Sequence, residues 1–278
     1  MSNVRNGSVV VNYDVRGAGP AALLFNHTSS SNLSWSERFL ESLAEEFTVV
    51  TPDYRGTGLS SPASEQLTLA DLAADGVAVL DAEGIADALV VGASMGGAVA
   101  QELALNFPDR ASALVLLGTF AGNRQLVPPD SSVIELFERA LAIESKIERW
   151  RHALPANFSQ PYLRENENLA LELELKGFRY TTEDTLRWHG RAVSQFEAYD
   201  RLPSISVPCL VVHGTADPVI PFRNGEILAE RLGNAELVAL EGVGHLVAVE
   251  KPLEVADRVR RFFRSTRPSS GEADESAN

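Results

Sequence analysis

Short apolar runs recur along the chain, and the segments between them carry apolar residues at every third or fourth position. Runs that are apolar throughout and rich in β-branched residues are typical of strands covered on both faces of a sheet. This pattern predicts seven strands, at residues 8–15, 21–26, 47–52, 88–92, 113–118, 208–213 and 235–240.

The segments between the predicted strands have a helical period. In residues 68–83, for example, Leu69, Leu72 and Leu80 fall on one face of a helix. Further helices are predicted at residues 34–45, 94–106, 225–232 and 252–264. The alternation of strands and helices predicts an α/β fold in which a mostly parallel central sheet carries helices on both faces.

The alternation stops between the fifth and sixth predicted strands. About three amphipathic helices follow one another there, near residues 131–152, 159–176 and 182–200, without a convincing strand. We interpret this stretch as a helical cap inserted into the α/β core, and the last residues as a disordered acidic tail, because they lack apolar groups to offset the entropy of ordering. The predicted division is 1–120 for the first part of the core, 121–203 for the cap, 204–265 for the second part of the core and 266–278 for the tail.

Composition narrows the class of protein. The chain has 278 residues, 45% of them hydrophobic and 22% charged, which is enough to bury a sizeable core. Its formal net charge of −14 disfavours nucleic acid as a partner, since tight binding there needs many Lys and Arg residues. The single cysteine, Cys209, permits no intrachain disulfide.

The same sequence predicts a cytoplasmic protein whose partner is a small-molecule substrate. Residues 1–7 contain no apolar stretch typical of a signal peptide, and no run approaches the ~20 apolar residues of a membrane-spanning helix. We expect neither a metal nor a cofactor, because His-Glu-x-x-His, paired cysteines and a Gly-x-Gly-x-x-Gly loop are missing. The sequence does not predict an oligomeric state.

A candidate nucleophile, Ser94, lies between the predicted strand at 88–92 and the helix that follows. It is the serine of a Gly-x-Ser-x-Gly motif, with Gly92 and Gly96 on either side. A serine raised on a sharp strand-to-helix turn needs such small neighbours, because the strand and helix pass close to each other. The free backbone N–H groups at the helix start favour a developing oxyanion, and the amide of Met95 is the expected donor.

A serine nucleophile needs a base, and the base needs an acid that fixes its tautomer. In this type of site the order along the chain is Ser, acid, His, with the last two on loops after late strands. His245 meets this requirement in the sequence Glu-Gly-Val-Gly-His, and Asp217 follows the strand at 208–213. Each residue taken alone has a structural alternative, Asp217 as a turn cap before Pro218 and His245 as an ordinary loop histidine.

These motifs together resemble the α/β-hydrolase superfamily over residues 9–264. The resemblance rests on the serine turn, on the Gly-His pair at 244–245, on His-Gly-Thr-Ala-Asp-Pro at 213–218 and on Asp-Tyr-Arg-Gly-Thr-Gly-Leu-Ser at 53–60. The last stretch looks like a structural loop of the family, with glycines for turns and polar side chains that fix them.

One loop departs from the common family pattern. Where many relatives carry His-Gly after the third strand, this chain has Asn26-His27-Thr28-Ser29. An Asn here resembles the branch that contains 3-oxoadipate enol-lactonase, whose loop is Asn-Ser-x-Gly. By this correspondence Thr28 supplies the second oxyanion N–H beside Met95. His27 has two interpretations, a substrate-binding residue or a histidine that packs the loop.

The resemblance implies a serine hydrolase that cleaves a carboxylic ester or lactone of a small organic molecule through an acyl-enzyme. Two alternatives on the same fold remain: a ligand receptor with negligible turnover, and a biosynthetic lyase or cyclase or a carbon–carbon bond hydrolase. Carbon–carbon bond hydrolases often carry Trp after the histidine, whereas Leu246 follows here. Aromatic and histidine side chains of the cap are candidates for the pocket wall: Phe137, Trp150, Phe158, Trp188 and His189.

Overall fold

The computed structural model of the protein describes residues 1–266. The tail predicted for 266–278 therefore lies, from residue 267 onward, outside the described residues. Within the described part, none of the helices is long and apolar enough to cross a membrane.

A single eight-stranded sheet forms the centre of the described part of the chain. The strands lie in the order β1-β2-β4-β3-β5-β6-β7-β8. Strands β1 and β2 are antiparallel to their neighbours, and the pairs from β4 to β8 are parallel. The strands are β1 (Ser2–Asn6), β2 (Val9–Arg16), β3 (Ala21–Phe25), β4 (Thr48–Pro52), β5 (Ala88–Ala93), β6 (Ala111–Leu117), β7 (Cys209–Gly214) and β8 (Ala235–Leu240).

Strand β1 is one that the apolar pattern did not predict. Its sequence, Ser-Asn-Val-Arg-Asn, places one apolar residue, Val4, among polar ones. It forms the edge of the sheet, where one side of the strand stays in solvent and the apolar signal is weak. The side chain of Asn6 donates a hydrogen bond to Asp75 Oδ1 (2.8 Å). Asp75 lies in the helix formed by Leu69–Ala82, so this bond connects the edge of the sheet to a helix.

Helices cover both faces of the sheet. They are α1 (Glu37–Ala44), α2 (Leu69–Ala82), α3 (Met95–Asn106), α4 (Ser131–Leu141), α5 (Lys146–Asn157), α6 (Gln160–Gly177), α7 (Glu183–Ser194), α8 (Arg223–Arg231), α9 (Val247–Glu250) and α10 (Pro252–Ser265). Leu72, Val99 and Leu228 bring α2, α3 and α8 into the core on one face. Phe39 and Val259 bring α1 and α10 into the core on the other face. The predicted α/β architecture is confirmed.

Four helices, α4 to α7, lie between β6 and β7, where the sequence predicted about three. The predicted helix at 131–152 is two helices, because α4 ends before Ala142 and Ser145 begins α5 by accepting a hydrogen bond from the Glu148 N–H. A serine at this position satisfies an N–H group that the new helix would otherwise leave free. A small apolar cluster joins this helical stretch to the loop after β8, because Phe158 and Leu171 pack with Leu246.

Candidate active site

Ser94 occupies a strained turn between β5 and α3. Its φ and ψ are 54° and −120°, an unfavourable backbone conformation for a residue with a Cβ. The surrounding backbone holds it in place. The Ser94 N–H donates to the Leu117 carbonyl (2.9 Å), and the Ser94 carbonyl accepts from the Thr119 hydroxyl (2.7 Å). The turn directs the serine away from the sheet at the carboxyl end of β5.

The glycines that flank the serine are required by close backbone contacts. A Cβ at Gly92 would lie 2.1 Å from the carbonyl oxygen of Gly96, and a Cβ at Gly96 would lie 2.1 Å from the carbonyl oxygen of Phe25. Neither position has φ in the left-handed region, so space rather than backbone freedom selects glycine here. The motif therefore allows α3 to start directly against β3 and β5.

The structure brings the three predicted residues of the triad together. His245 Nδ1 lies 2.7 Å from Asp217 Oδ2, and His245 Nε2 lies 3.0 Å from Ser94 Oγ. A carboxylate only accepts hydrogen bonds, so Nδ1 carries the proton and Nε2 is free to accept the serine hydroxyl proton. All three side chains are buried. This is the geometry that a serine nucleophile with its base and orienting acid requires.

The carboxylate of Asp217 is held ionised by its surroundings. Burial opposes ionisation, but the Coulomb interaction with His245 and hydrogen bonds from His213 and His245 outweigh it and lower the pKa of Asp217 to about 2. Its Oδ1 accepts from the backbone N–H groups of Val219 and Ile220, both at 2.9 Å. One oxygen is thus fixed by the backbone while the other faces the catalytic imidazole.

His213 is a neighbour of the triad to which sequence reasoning gave no role. Its Nε2 lies 3.3 Å from Asp217 Oδ2 and donates to the Ile220 carbonyl at 2.7 Å. The ring is completely buried, and a Cβ at Gly225 would lie 2.6 Å from its Nδ1. The one available signal was its position four residues before Asp217, at the end of β7. His213 fixes the loop that carries the acid.

The two predicted oxyanion residues lie on two different segments, the start of α3 and the loop after β3. Met95 is the first residue of α3 and is buried, so its amide belongs to the free N–H groups at the helix start. Thr28 lies half-buried in the loop after β3. The carbonyl oxygens of Phe25, at the end of β3, and of Asn26, at the start of that loop, lie close to Gly96, so this loop begins next to the serine turn.

A network of hydrogen bonds shapes the loop after β3. The Asn26 carboxamide accepts from the His27 N–H (2.8 Å) and donates to the Ser31 carbonyl (2.8 Å). The Tyr54 hydroxyl donates to the Asn26 carbonyl at 2.6 Å. Ser29 has φ of 58°, at the position where the loop of the enol-lactonase branch has glycine. The Asn26 side chain thus stabilises the turn of this loop through its two hydrogen bonds.

Glu250 of α9 connects the histidine loop to the cap. Its carboxylate accepts from the backbone N–H of Ser159 (2.6 Å), from the Ser159 hydroxyl (2.6 Å) and from the backbone N–H of Gly244 (3.1 Å). Ser159 is the residue before α6, and Gly244 directly precedes His245. Glu250 therefore links the residue before α6 to the backbone next to His245.

Aromatic side chains of α5 and of the residue after α6 pack towards His27. Trp150 packs on Phe178 with ring centroids 4.1 Å apart, and Phe178 lies 5.7 Å from the ring of His27. Among the other predicted pocket candidates, Phe137 is partly exposed, while Phe158 is buried in the small apolar cluster with Leu246. Two further candidates contact the main core: Trp188 packs against it, and His189 bonds to the Arg55 carbonyl.

Glu174 of α6 is a site residue that the sequence did not predict. It is 1% exposed, and burial raises its pKa to about 7, while the hydrogen bond from Asn157 and the Coulomb interaction with His245 oppose this rise. Its Oε1 accepts from the Asn157 side chain (3.2 Å), and the backbone carbonyl of Asn157 accepts from the Leu246 N–H (3.0 Å). A buried carboxyl group therefore lies within electrostatic reach of His245.

Two cavities lie near this arrangement. A small cavity of about 10 Å³ is lined by His245 together with His27, Ser34 and Trp35. A groove of about 1070 Å³ lies along α6, and no triad residue lines it. Trp35 and Val249 line both, so they form the wall between the groove and the small cavity. Within residues 1–266, no group of three or more His, Cys, Asp or Glu side chains is arranged to hold a metal ion.

Known proteins resemble this chain over most of its length. It is 27% identical over 271 residues to pyrrolizixenacetamide deacetylase of Xenorhabdus hominickii, covering 95% of this chain and 98% of that protein. It is 26% identical over 254 residues to 3-oxoadipate enol-lactonase 2 of Acinetobacter baylyi, covering 88% and 89%. A solved structure of a hydrolase from Pseudomonas aeruginosa PA01 superposes with a TM-score of 0.81 at 29% identity, covering 94% and 97%.

The family assignment follows from these findings together with the fold. The family model for the alpha/beta hydrolase fold matches residues 21–252, which include the serine turn, the acid and the histidine. The resemblance inferred from the motifs, including its relatives among the enol-lactonases, is confirmed. The chain belongs to the α/β-hydrolase fold family.

Proposed function

We propose that this protein is a serine hydrolase that cleaves a carboxylic ester or lactone of a small organic molecule through an acyl-enzyme intermediate. The observation that carries the proposal is the hydrogen-bonded series Ser94–His245–Asp217, with 3.0 Å and 2.7 Å between the bonding atoms. Relatives named as a deacetylase and an enol-lactonase support hydrolysis of an acyl group.

The reaction proceeds in two stages. Ser94 Oγ attacks the carbonyl carbon while His245 Nε2 takes the hydroxyl proton, and the resulting imidazolium is stabilised by the Asp217 carboxylate. The backbone amides of Met95 and Thr28 hold the negative charge that develops on the carbonyl oxygen. His245 then gives its proton to the leaving alcohol oxygen, and the ester to Ser94 remains.

In the second stage, water takes the place of Ser94 as the nucleophile and hydrolyses the acyl-enzyme. His245 accepts a proton from the attacking water, and the tetrahedral intermediate again places its oxyanion against the two amides. Collapse of this intermediate returns the proton to Ser94 Oγ and releases the acid. When the substrate is a lactone, acid and alcohol leave as one hydroxy acid.

Substitution of the serine and of the histidine tests this proposal. On a panel of short p-nitrophenyl esters and small lactones, Ser94→Ala and His245→Gln are expected to lower kcat by at least about 10³-fold, as loss of either member disables the triad. His152→Gln is the matched control, because His152 is exposed on α5. Retained hydrolysis in Ser94→Ala would refute the acyl-enzyme route. A stoichiometric acylation of wild type without turnover would instead favour the ligand-receptor alternative.

A further inference from the structure

Several buried polar side chains around the site leave an atom without a hydrogen-bond partner in the described structure. Ser29 Oγ and His213 Nδ1 are two of these atoms, and four others are His27 Nε2, Ser34 Oγ, Trp35 Nε1 and Glu174 Oε2. The residues of these four are between 1% and 7% exposed. A buried polar group without a partner costs about 1–3 kcal/mol. Four such groups at one end of an active site therefore point to a polar ligand that supplies the missing bonds.

The fold brings these groups to the same side of His245. His27, Ser34, Trp35 and His245 all line the small cavity. Helix α6 lies against this wall: the Ser31 N–H donates to the carbonyl of Gly177 (3.0 Å), and a Cβ at Gly177 would collide with Ser34 Oγ. Glu174 is one helical turn before Gly177 and thus shares its face of α6.

The charge of this region selects the kind of group that fits. None of the residues that line the small cavity is Lys or Arg, and burial together with His245 lowers the pKa of His27 to about 3, so its imidazole is neutral. The carboxyl of Glu174 has no cationic side chain as a hydrogen-bond partner among the described residues. Above about pH 7, where Glu174 is ionised, a ligand carboxylate would face it without a counter-charge, whereas a hydroxyl or amide N–H would give its free oxygen a donor.

The size of the cavity agrees with a small terminal group. About 10 Å³ is close to the space that one water molecule needs. A hydroxyl at the end of a substrate chain occupies a comparable volume, and a carboxamide, which has three heavy atoms, requires the cavity to widen. Either group also offers an acceptor to the Trp35 N–H as well as a donor to Glu174.

We propose that Glu174, His27, Ser34 and Trp35 form a polar subsite that binds a neutral hydrogen-bond-donating group, a hydroxyl or a carboxamide, on the non-reacting part of the substrate and disfavours a carboxylate. This inference rests on the proposed ester or lactone hydrolysis. It names the class of substrate that the site prefers.

A matched series of esters tests the polar subsite. One set has acyl chains of several lengths that end in methyl, hydroxyl, carboxamide or carboxylate, and a second set carries the same ends on the alcohol. In wild type, the best hydroxyl or carboxamide ester is expected to exceed its methyl counterpart in kcat/KM by about tenfold to hundredfold, and the carboxylate ester to fall below the methyl ester.

Variants of Glu174 separate binding from mere packing. Glu174→Leu is expected to abolish the preference for the hydroxyl or carboxamide end, and Glu174→Gln to relieve the penalty on the carboxylate end, because an amide nitrogen can donate to it. Glu172→Gln on the exposed face of α6 is the control and should keep the wild-type ranking. An equal change for all four ends in the Glu174 variants would show a structural role only and overturn the proposal.

Binding without turnover distinguishes the two proposals. Thermal shifts of Ser94→Ala with the same esters report the ranking directly. The expected ranking in Ser94→Ala, together with no hydrolysis of any ester by wild type, would support the polar subsite and refute the proposed function. Hydrolysis by wild type with no effect of the terminal group in either set would leave the function standing and overturn the polar subsite, whose cavity would then hold only a trapped water.

Discussion

Replacement of Asp217 by Asn perturbs one atom of the site and leaves its shape almost unchanged. In the native protein Oδ1 accepts two backbone N–H groups, and Oδ2 accepts the proton of His245 Nδ1. The amide oxygen of Asn must keep the two backbone bonds, so its NH₂ group faces Nδ1. A donor facing a donor forces the imidazole into the other tautomer, whose Nε2 carries a proton and cannot accept one from Ser94.

The expected loss of activity from Asp217→Asn is large. The pKa of Asp217 falls from 3.8 to about 2 in spite of burial, mainly through His245. A pKa shift of this size corresponds to about 2–3 kcal/mol of net stabilisation of the ionised carboxylate. Because burial opposes ionisation, the favourable interactions of the carboxylate with its histidine neighbours must exceed this net value. Wrong-tautomer variants of serine triads lose about 10⁴ in kcat, so we expect a fall of about 10³ to 10⁴-fold, or about 4–5 kcal/mol.

Steady-state hydrolysis of p-nitrophenyl acetate at saturating substrate measures this loss, and thermal unfolding followed by circular dichroism verifies that the variant is folded. Asp109→Asn is the control, since Asp109 is exposed, and it should keep wild-type kcat. A folded Asp217→Asn protein with kcat within tenfold of wild type would refute the role assigned to the acid.

Three further predictions concern the framework of the site. Gly92→Ala forces a Cβ to 2.1 Å from a backbone oxygen and should lower both the melting temperature and kcat, whereas Gly233→Ala, in open space, should change neither; equal behaviour would contradict the packing argument. Glu250→Ala removes three hydrogen bonds between the cap and the histidine loop and should lower kcat at least about tenfold by steady-state assay, with exposed Glu241→Ala unaffected. The pKa of Glu174 rises on folding from 4.5 to about 7, so the folded state retains a proton that the unfolded chain has lost and stability falls as pH rises between these values. Glu174→Gln should therefore be more stable than wild type above pH 7, by up to about 3 kcal/mol, with the gain vanishing below pH 4.5 in chemical denaturation; a pH-independent difference would contradict the raised pKa.

The parts of the site that local sequence determines were predictable. Gly92 and Gly96 around Ser94 indicate a turn with no room for side chains. In the structure, a Cβ at either position would lie 2.1 Å from a backbone carbonyl oxygen. Asp217 and His245 follow late strands, and parallel strands bring their carboxyl ends to one edge of the sheet. Their approach to hydrogen-bond distance could thus be inferred without knowing the packing of the cap.

The parts that depend on long-range packing were not predictable. Glu174 lies in the segment Leu-Glu-Leu-Glu-Leu-Lys-Gly, where its neighbour Glu172 is exposed and pairs with Lys176. The packing of α6 against both α5 and the loop after β3 makes one of these two glutamates a buried group. Strand β1 was missed for a different reason. An edge strand such as Ser2–Asn6 needs few apolar residues, so the apolar pattern does not indicate it.

Detection of a covalent acyl group on Ser94 tests the proposed acyl-enzyme mechanism. Wild-type protein mixed with a slowly deacylating p-nitrophenyl ester, quenched in acid during the first turnover and digested, is examined by mass spectrometry. If Ser94 is the nucleophile, the peptide containing Ser94 gains the mass of the acyl group, and this adduct is missing from Ser94→Ala. Sustained ester hydrolysis without any adduct on that peptide, or with an adduct on another residue, would contradict this mechanism.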